Sequence, residues 1–242
     1  MVHERARLRS MVRTTELFHL AAWNSRMWQD YPMVCIYFST SSNAYRFYSS
    51  EIIEETTEHC SAQRNHHFAY FFFSFRETEK QKASNLPRSI LAQLLMQAEN
   101  VPTALQTFYD KYQHGEPSER GLLESIQALL IGSHTYIIID ALDECPNAEE
   151  ERAELCNILK ELNSWGNEKL HVLVTSRKEA DLTEALLPIV TQEPIGIQGS
   201  AIDTDIRQFV RTQLQTDSKL SKWPTEIQAE IERTLVKKSG GM

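Results

Sequence analysis

Two kinds of apolar spacing alternate along most of this chain. One is the short, nearly unbroken run, at 33–38 (MVCIYF), 136–139 (YIII) and 171–174 (HVLV). Runs of this length that end in polar groups read as strands buried on both faces, the habit of parallel sheets. The other is helical spacing. Within 86–100, Ile90, Leu91, Leu94 and Leu95 fall on one side, and within 118–130 Leu122, Leu123, Ile126, Leu129 and Leu130 do the same. Residues 101–131 read as two helices with a breaker at 114–117 (HGEP). Beyond the 136–139 run, Cys145-Pro146 interrupts the backbone and Asn147 is placed to cap a helix reaching about Trp165.

About thirty residues separate the last two runs, with a helical pattern between them, a spacing that fits one βαβ crossover. The predicted fold class is therefore α/β with a parallel sheet, and a further strand near 191–198 would complete five. The tail reads as two helices, 202–214 and 225–236, with Asp203 as a cap for the first and Pro224 at the start of the second. Three regions follow: a leader over 1–44, an α/β body over 45–198 and a helical extension over 199–242.

The strand ends carry the chemistry. In an open α/β sheet, ligands sit beyond the carboxyl ends of the strands. The 136–139 run delivers Asp140, Asp143 and Glu144 there. In P-loop NTPases such a set holds a metal and a water, with Asp140 facing Mg²⁺ and Asp143 or Glu144 orienting the attacking water. The alternative is an ordinary core strand followed by acidic residues that complement a helix dipole. The 171–174 run ends in Thr175-Ser176-Arg177. Arg177 is a candidate phosphate sensor, since a planar guanidinium stays charged and matches phosphate oxygens; the alternative is a surface arginine at a strand exit.

The pattern hhhhDxLDEC at 136–145, followed by a helix and LVTSR at 173–177, resembles the Walker B and sensor-1 region of NACHT-type STAND NTPases, in particular the fungal nephrocystin-like group. Residues 68–75 (FAYFFFSF) and 86–95 (LPRSILAQLL) resemble that family's second strand and following helix. Residues 205–210 (DIRQFV) and 238–242 (KSGGM) are similar to its helical extension. The resemblance spans roughly 51–242. It implies a three-layer P-loop NTPase fold with strand order 5-1-4-3-2, and ATP or ADP with Mg²⁺ as cofactor. It implies a helical bundle closing over the nucleotide and, beyond Met242, a winged helix. The implied activity is that of a slow Mg²⁺-dependent switch.

One element of that family is missing. A P-loop, GxxxxGK[ST], should follow the first strand, because its glycines let backbone N–H groups close on phosphate and its lysine neutralises them. No glycine precedes Gly115. Residues 50–54 resemble the helix after the P-loop, so 39–47 (STSSNAYRF) stands in the P-loop's place, with Tyr45 about where the lysine is expected and Arg46 the nearest cation. Three accounts stand side by side: a degenerate site that no longer binds nucleotide, a mis-assigned first exon, or compensation by Arg46 and the hydroxyl-rich loop. The last asks residues with side chains to adopt left-handed torsions.

Composition narrows the classes. The 242 residues, 41% of them hydrophobic, suffice for one α/β domain and a small helical appendage. A net charge of −8 argues against general nucleic-acid affinity. Cys35, Cys60, Cys145 and Cys156 form no CxxC pair and read as free thiols in a reducing compartment. The histidines, His66-His67 among them, lack metal-ligand spacing and read as surface or strand-edge residues. No run is long enough to span a bilayer and no secretory signal stands at the N-terminus, so a cytoplasmic chain without membrane contact is expected. Two function classes remain: a nucleotide-dependent regulatory module whose output is contact with protein partners or self-oligomerisation, and a pseudo-NTPase kept as an interaction domain.

Overall fold

The computed structural model describes residues 33–38, 43–112, 115–147, 149–191, 193–197, 207, 210–217 and 219–239. The apolar runs form strands. They are β1 (Met33–Phe38), β2 (His66–Phe72), β3 (His134–Asp140), β4 (Leu170–Arg177) and the short β5 (Ile195–Ile197). They make one parallel sheet in the order β2-β3-β4-β1-β5, which is the expected 5-1-4-3-2 read from the other edge. Of the expected fifth strand over 191–198, Ile195–Ile197 is strand among the described residues, and it pairs with the end of β1. Because β1 lies between β4 and β5, the sheet takes in residues that the sequence reading assigned to the leader.

The connecting helices are α1 (Asn43–Ser61), α2 (Asn85–Leu95), α3 (Thr103–Lys111), α4 (Glu119–Leu129), α5 (Glu149–Ser164) and α6 (Ala180–Leu186), with α7 (Thr225–Ser239) in the tail. Ser118 caps α4, its Oγ accepting from the Gly121 N–H, which satisfies one of the helix's orphan donors. The expected cap Asp203 lies outside the described residues, and helical backbone is described over 210–216. Helix α6 was not anticipated; its seven residues are too few for a periodicity argument. Among the described residues no helix is long and apolar enough to cross a membrane.

The period of two along each strand sorts its side chains between two layers. Met33, Cys35, Ala69, Phe71, Ile137, Ile139, Val172 and Val174 join the main core, which also holds Leu86, Ile90, Leu122, Ile126, Leu155, Ile158 and Leu182 from the helices. The opposite parity, which includes Tyr136, Ile138, Asp140, His171, Leu173 and Thr175, lies on the face covered by α1. Helix α1 buries Ser49, Ile52, Thr56 and Cys60, one turn apart along a single stripe.

The outer edge of β2 is closed by side chains. Gln97 accepts from the Phe68 N–H and donates to the Phe68 carbonyl, at 3.0 and 2.6 Å, and Gln93 does the same for Tyr70 at 3.0 and 2.8 Å. Two amide side chains, Gln93 of α2 and Gln97 of the turn that follows it, thus imitate a neighbouring strand along an edge that would otherwise be open to pairing.

Candidate functional site

The parity of β3 and the register with β4 bring Asp140 to the C-terminal end of the sheet on the α1 side. Its carboxylate is 3% exposed. The Ser49 hydroxyl of α1 donates to its Oδ1 at 2.5 Å, and the Thr175 hydroxyl of β4 donates to the same oxygen. Thr175 Oγ1 in turn accepts from the Ala141 N–H at 3.0 Å. Burial pushes the Asp140 carboxyl above the ordinary carboxylate range; Ser49 and Thr175 work against that shift, and the charges of Asp143 and Glu144 reinforce it.

Ala141 sits in the left-handed region, with φ 59° and ψ 50°. A side chain resists this conformation, and its occurrence directly after the buried acid marks a backbone held by its surroundings. The kink reverses the chain into a single 3₁₀ turn, Leu142–Glu144. That turn sends the next two acids in different directions. Asp143, whose side chain is 3% exposed, returns to β4, where its Oδ1 accepts from the Arg177 N–H at 2.8 Å and its Oδ2 from Arg177 Nε at 2.7 Å. Glu144 is buried and its Oε2 accepts from the Phe75 N–H at 3.1 Å, which ties the turn to the exit of β2.

The candidate residues therefore assemble at one end of the sheet, but in separate engagements. Asp140 faces hydroxyls, Asp143 holds Arg177, and Glu144 holds backbone. Arg46 lies in the first turns of α1 and its side chain is outside the described residues. Of the segment 39–47 expected in the P-loop's place, residues 43–47 are helical, because α1 begins at Asn43; residues 39–42 are outside the described residues. Among the described residues no group of three or more His, Cys, Asp or Glu side chains is arranged to hold a metal ion. The donors around Asp140, a carboxylate and two hydroxyls, are hard oxygens suited to Mg²⁺, an ion that commonly takes only one or two protein carboxylates and completes its shell with water and phosphate.

Three residues escaped the sequence reading. Thr175 belongs to the LVTSR strand end, and the alternation along β4 puts it on the Asp140 face once the β3–β4 register is known, whereas Ser49 falls between the 39–47 and 50–54 segments and carried no signal. Arg152 gave no local signal. It arises from the glutamate-rich start of α5, yet its side chain is 8% exposed. Its Nε donates to the Cys145 carbonyl at 3.1 Å and its Nη2 to the Asp143 carbonyl at 3.0 Å. Its Nη1 donates to Glu179 and, at 2.8 Å, to Asp181. Burial opposes its charge, and the two carboxylates outweigh that, leaving its pKa above the ordinary arginine value.

The family model described as nephrocystin 3, N-terminal, matches residues 47–177. That span begins in α1 and closes at the last residue of β4, so it includes Ser49, Asp140, Asp143, Glu144, Arg152 and Arg177. Comparison with curated proteins gave no match.

Proposed function

The chain belongs to the nephrocystin 3 N-terminal family, and from that premise we propose that it is a NACHT-like nucleotide-binding regulatory module, a STAND switch of the kind carried by fungal NLR-like proteins. The observation that carries the reading is Asp140, a nearly buried acid at the carboxyl end of a parallel strand, hydrogen-bonded by Ser49 and Thr175 and beside the Asp143–Arg177 pair. In this reading Asp140, with Ser49 near it, supports the Mg²⁺ of ATP or ADP. The ion would neutralise phosphate charge. Arg177 meets the terminal phosphate, Asp143 and Glu144 set the position of the hydrolytic water, and Arg46 supplies a cation near the phosphates. Hydrolysis is slow, and the nucleotide biases contact with protein partners or with further copies of the chain.

A second reading is a pseudo-NTPase that keeps the fold as an interaction domain. It is favoured by the absence of any glycine before Gly115 and by the engagement of Arg177 with Asp143. Calorimetric titration of the full chain with ATP and ADP in Mg²⁺ separates the two, with Asp140→Ala and Arg177→Ala alongside. Saturable binding that both substitutions weaken supports the switch. A folded chain that takes up no heat with either nucleotide is the pseudo-NTPase.

A further inference from the structure

The turn that carries Asp143 and the connection that follows Arg177 are bound to each other twice. On one side, Asp143 clamps Arg177 through its backbone N–H and its Nε. On the other, Arg152 reaches from α5, donates to the carbonyls of Asp143 and Cys145, and also binds Glu179 and Asp181 at the entry to α6. The result is a closed ring: Asp143 to Arg177, along the chain to Glu179 and Asp181, through the Arg152 guanidinium, and back to the Asp143 carbonyl. A guanidinium suits this position because its planar fork presents several donors at fixed angles, and four of its hydrogen bonds are used here. Arg152 and Asp143 are the members with buried side chains, so removing either leaves buried partner groups without compensation.

We propose that Arg152 is a positioning residue that locks the Leu142–Glu144 turn to the β4–α6 connection, so that the reach of Arg177 and the seating of α5 and α6 change together. Under the nucleotide-switch reading, on which this second half rests, the ring is the path from the terminal phosphate to the outer helices: a phosphate that draws Arg177 from Asp143 also releases the turn from Arg152.

The test has one arm that needs no nucleotide. In the full chain with ¹⁵N-labelled arginine, the Arg177 Nε–H signal is followed by hydrogen exchange in wild type, Asp143→Asn, Arg152→Lys and the double variant Glu179→Gln with Asp181→Asn. Arg152→Lys keeps the charge and loses the fork. The double variant alters side chains that are 38% and 46% exposed and so leaves the core intact. The expected result is that protection of Arg177 Nε–H falls about tenfold in all three variants, while β3 and β4 backbone amides keep theirs. If Arg177 Nε–H keeps wild-type protection in both the Arg152→Lys chain and the double variant, the coupling does not exist and the proposal is overturned.

The second arm measures ATP and ADP affinities in Mg²⁺. Arg152→Lys should lose the preference between them to the same degree as Arg177→Gln. Loss with Arg177→Gln alone overturns the transmission path. A wild-type chain that binds neither nucleotide fails the switch reading, and with it the transmission path, while the exchange arm still decides the ring.

Discussion

Ala141 is the residue on which the candidate site turns, since its left-handed backbone separates a buried acid from two acids with other partners. A small side chain tolerates this conformation at modest cost, and a β-branched one does not. Ala141→Gly should stay within about 1 kcal/mol of wild type, as relieved strain offsets the lost methyl and the greater chain entropy. Ala141→Val should lose roughly 2–4 kcal/mol in urea unfolding; a valine chain as stable as wild type would remove the kink from the argument. Asp140 has a testable tension of its own. Its folded-state pKa is raised, so the folded chain holds that proton more tightly than the unfolded chain. Its contribution to stability therefore falls as pH rises from about 4, near the unfolded Asp value, and the loss is complete above the folded pKa. Asp140→Asn should accordingly match wild type in acid and exceed it at neutral pH. Under the proposed nucleotide switch, the same variant should also lose the stabilisation that Mg²⁺ and ATP would confer on wild type, because a neutral amide is a poorer Mg²⁺ ligand than a carboxylate.

At the scale of elements, α1 and α2 do different work on the two layers. Helix α1 lays one stripe along the sheet, with Ser49 at Asp140 and His59 at the opposite end, where its ring meets Tyr136 edge-on at 5.6 Å. Helix α2 fills the main core with Leu86, Ile90, Leu91 and Leu94, while its Gln93 and Gln97 in the turn just beyond it cover the edge of β2. Leucine at Gln93 leaves helix propensity nearly unchanged, Gln97 lies outside the helix, and replacing both by leucine uncovers the polar backbone of that edge. The expected consequence is concentration-dependent self-association, visible by light scattering. A variant that stays monomeric at high concentration would show that the glutamines are not what blunts the edge. Glutamine reads as a surface residue in any helical pattern, so this role was invisible until the helix was seen beside the strand.

The whole molecule has an acid end and a histidine end. At the amino ends of the strands, His66 and His171 stack with Tyr136 and with His134, with His66 to His134 at 4.8 Å and Tyr136 to His171 at 4.8 Å, and His59 of α1 meets His66 and Tyr136 edge-on. Burial lowers the pKa of His59 and of His134; His66 adds to both shifts, and Lys169 to that of His134. For these imidazoles the folded chain binds protons less well than the unfolded one. Their share of stability is intact above about pH 6.5, the unfolded value, and is lost as pH falls through the shifted values. Urea midpoints should therefore drop between pH 7.5 and 5.5, and the drop should shrink in the His59→Asn, His134→Asn double variant. Because the Asp140 contribution changes in the opposite direction, the two ends are separated by comparing this variant with Asp140→Asn across the same range.

Strands β1, β3 and β4 were legible in the chain because a parallel strand buried on both faces is a continuous apolar run, and their length decides against a buried helix segment. Asp140, Asp143, Glu144 and Arg177 were legible as a set because strand ends are where such a sheet exposes its chemistry. What each acid touches was not. That depended on the left-handed turn at Ala141, on the β3–β4 register that sets Thr175 beside Asp140, and on a helix start at Asn43 that brings Ser49 over the sheet. Arg152 lay furthest from reach, for its sequence neighbours form a glutamate-rich run that reads as a solvated helix start, while its partners come from 143–145 and 179–181. Local pattern determines which segments are strand or helix and which face is apolar, since both are periodic properties of a short window. Pairings between residues far apart in the chain are decided only when the packed sheet removes water from them, and this carboxylate and guanidinium network is made of such pairings.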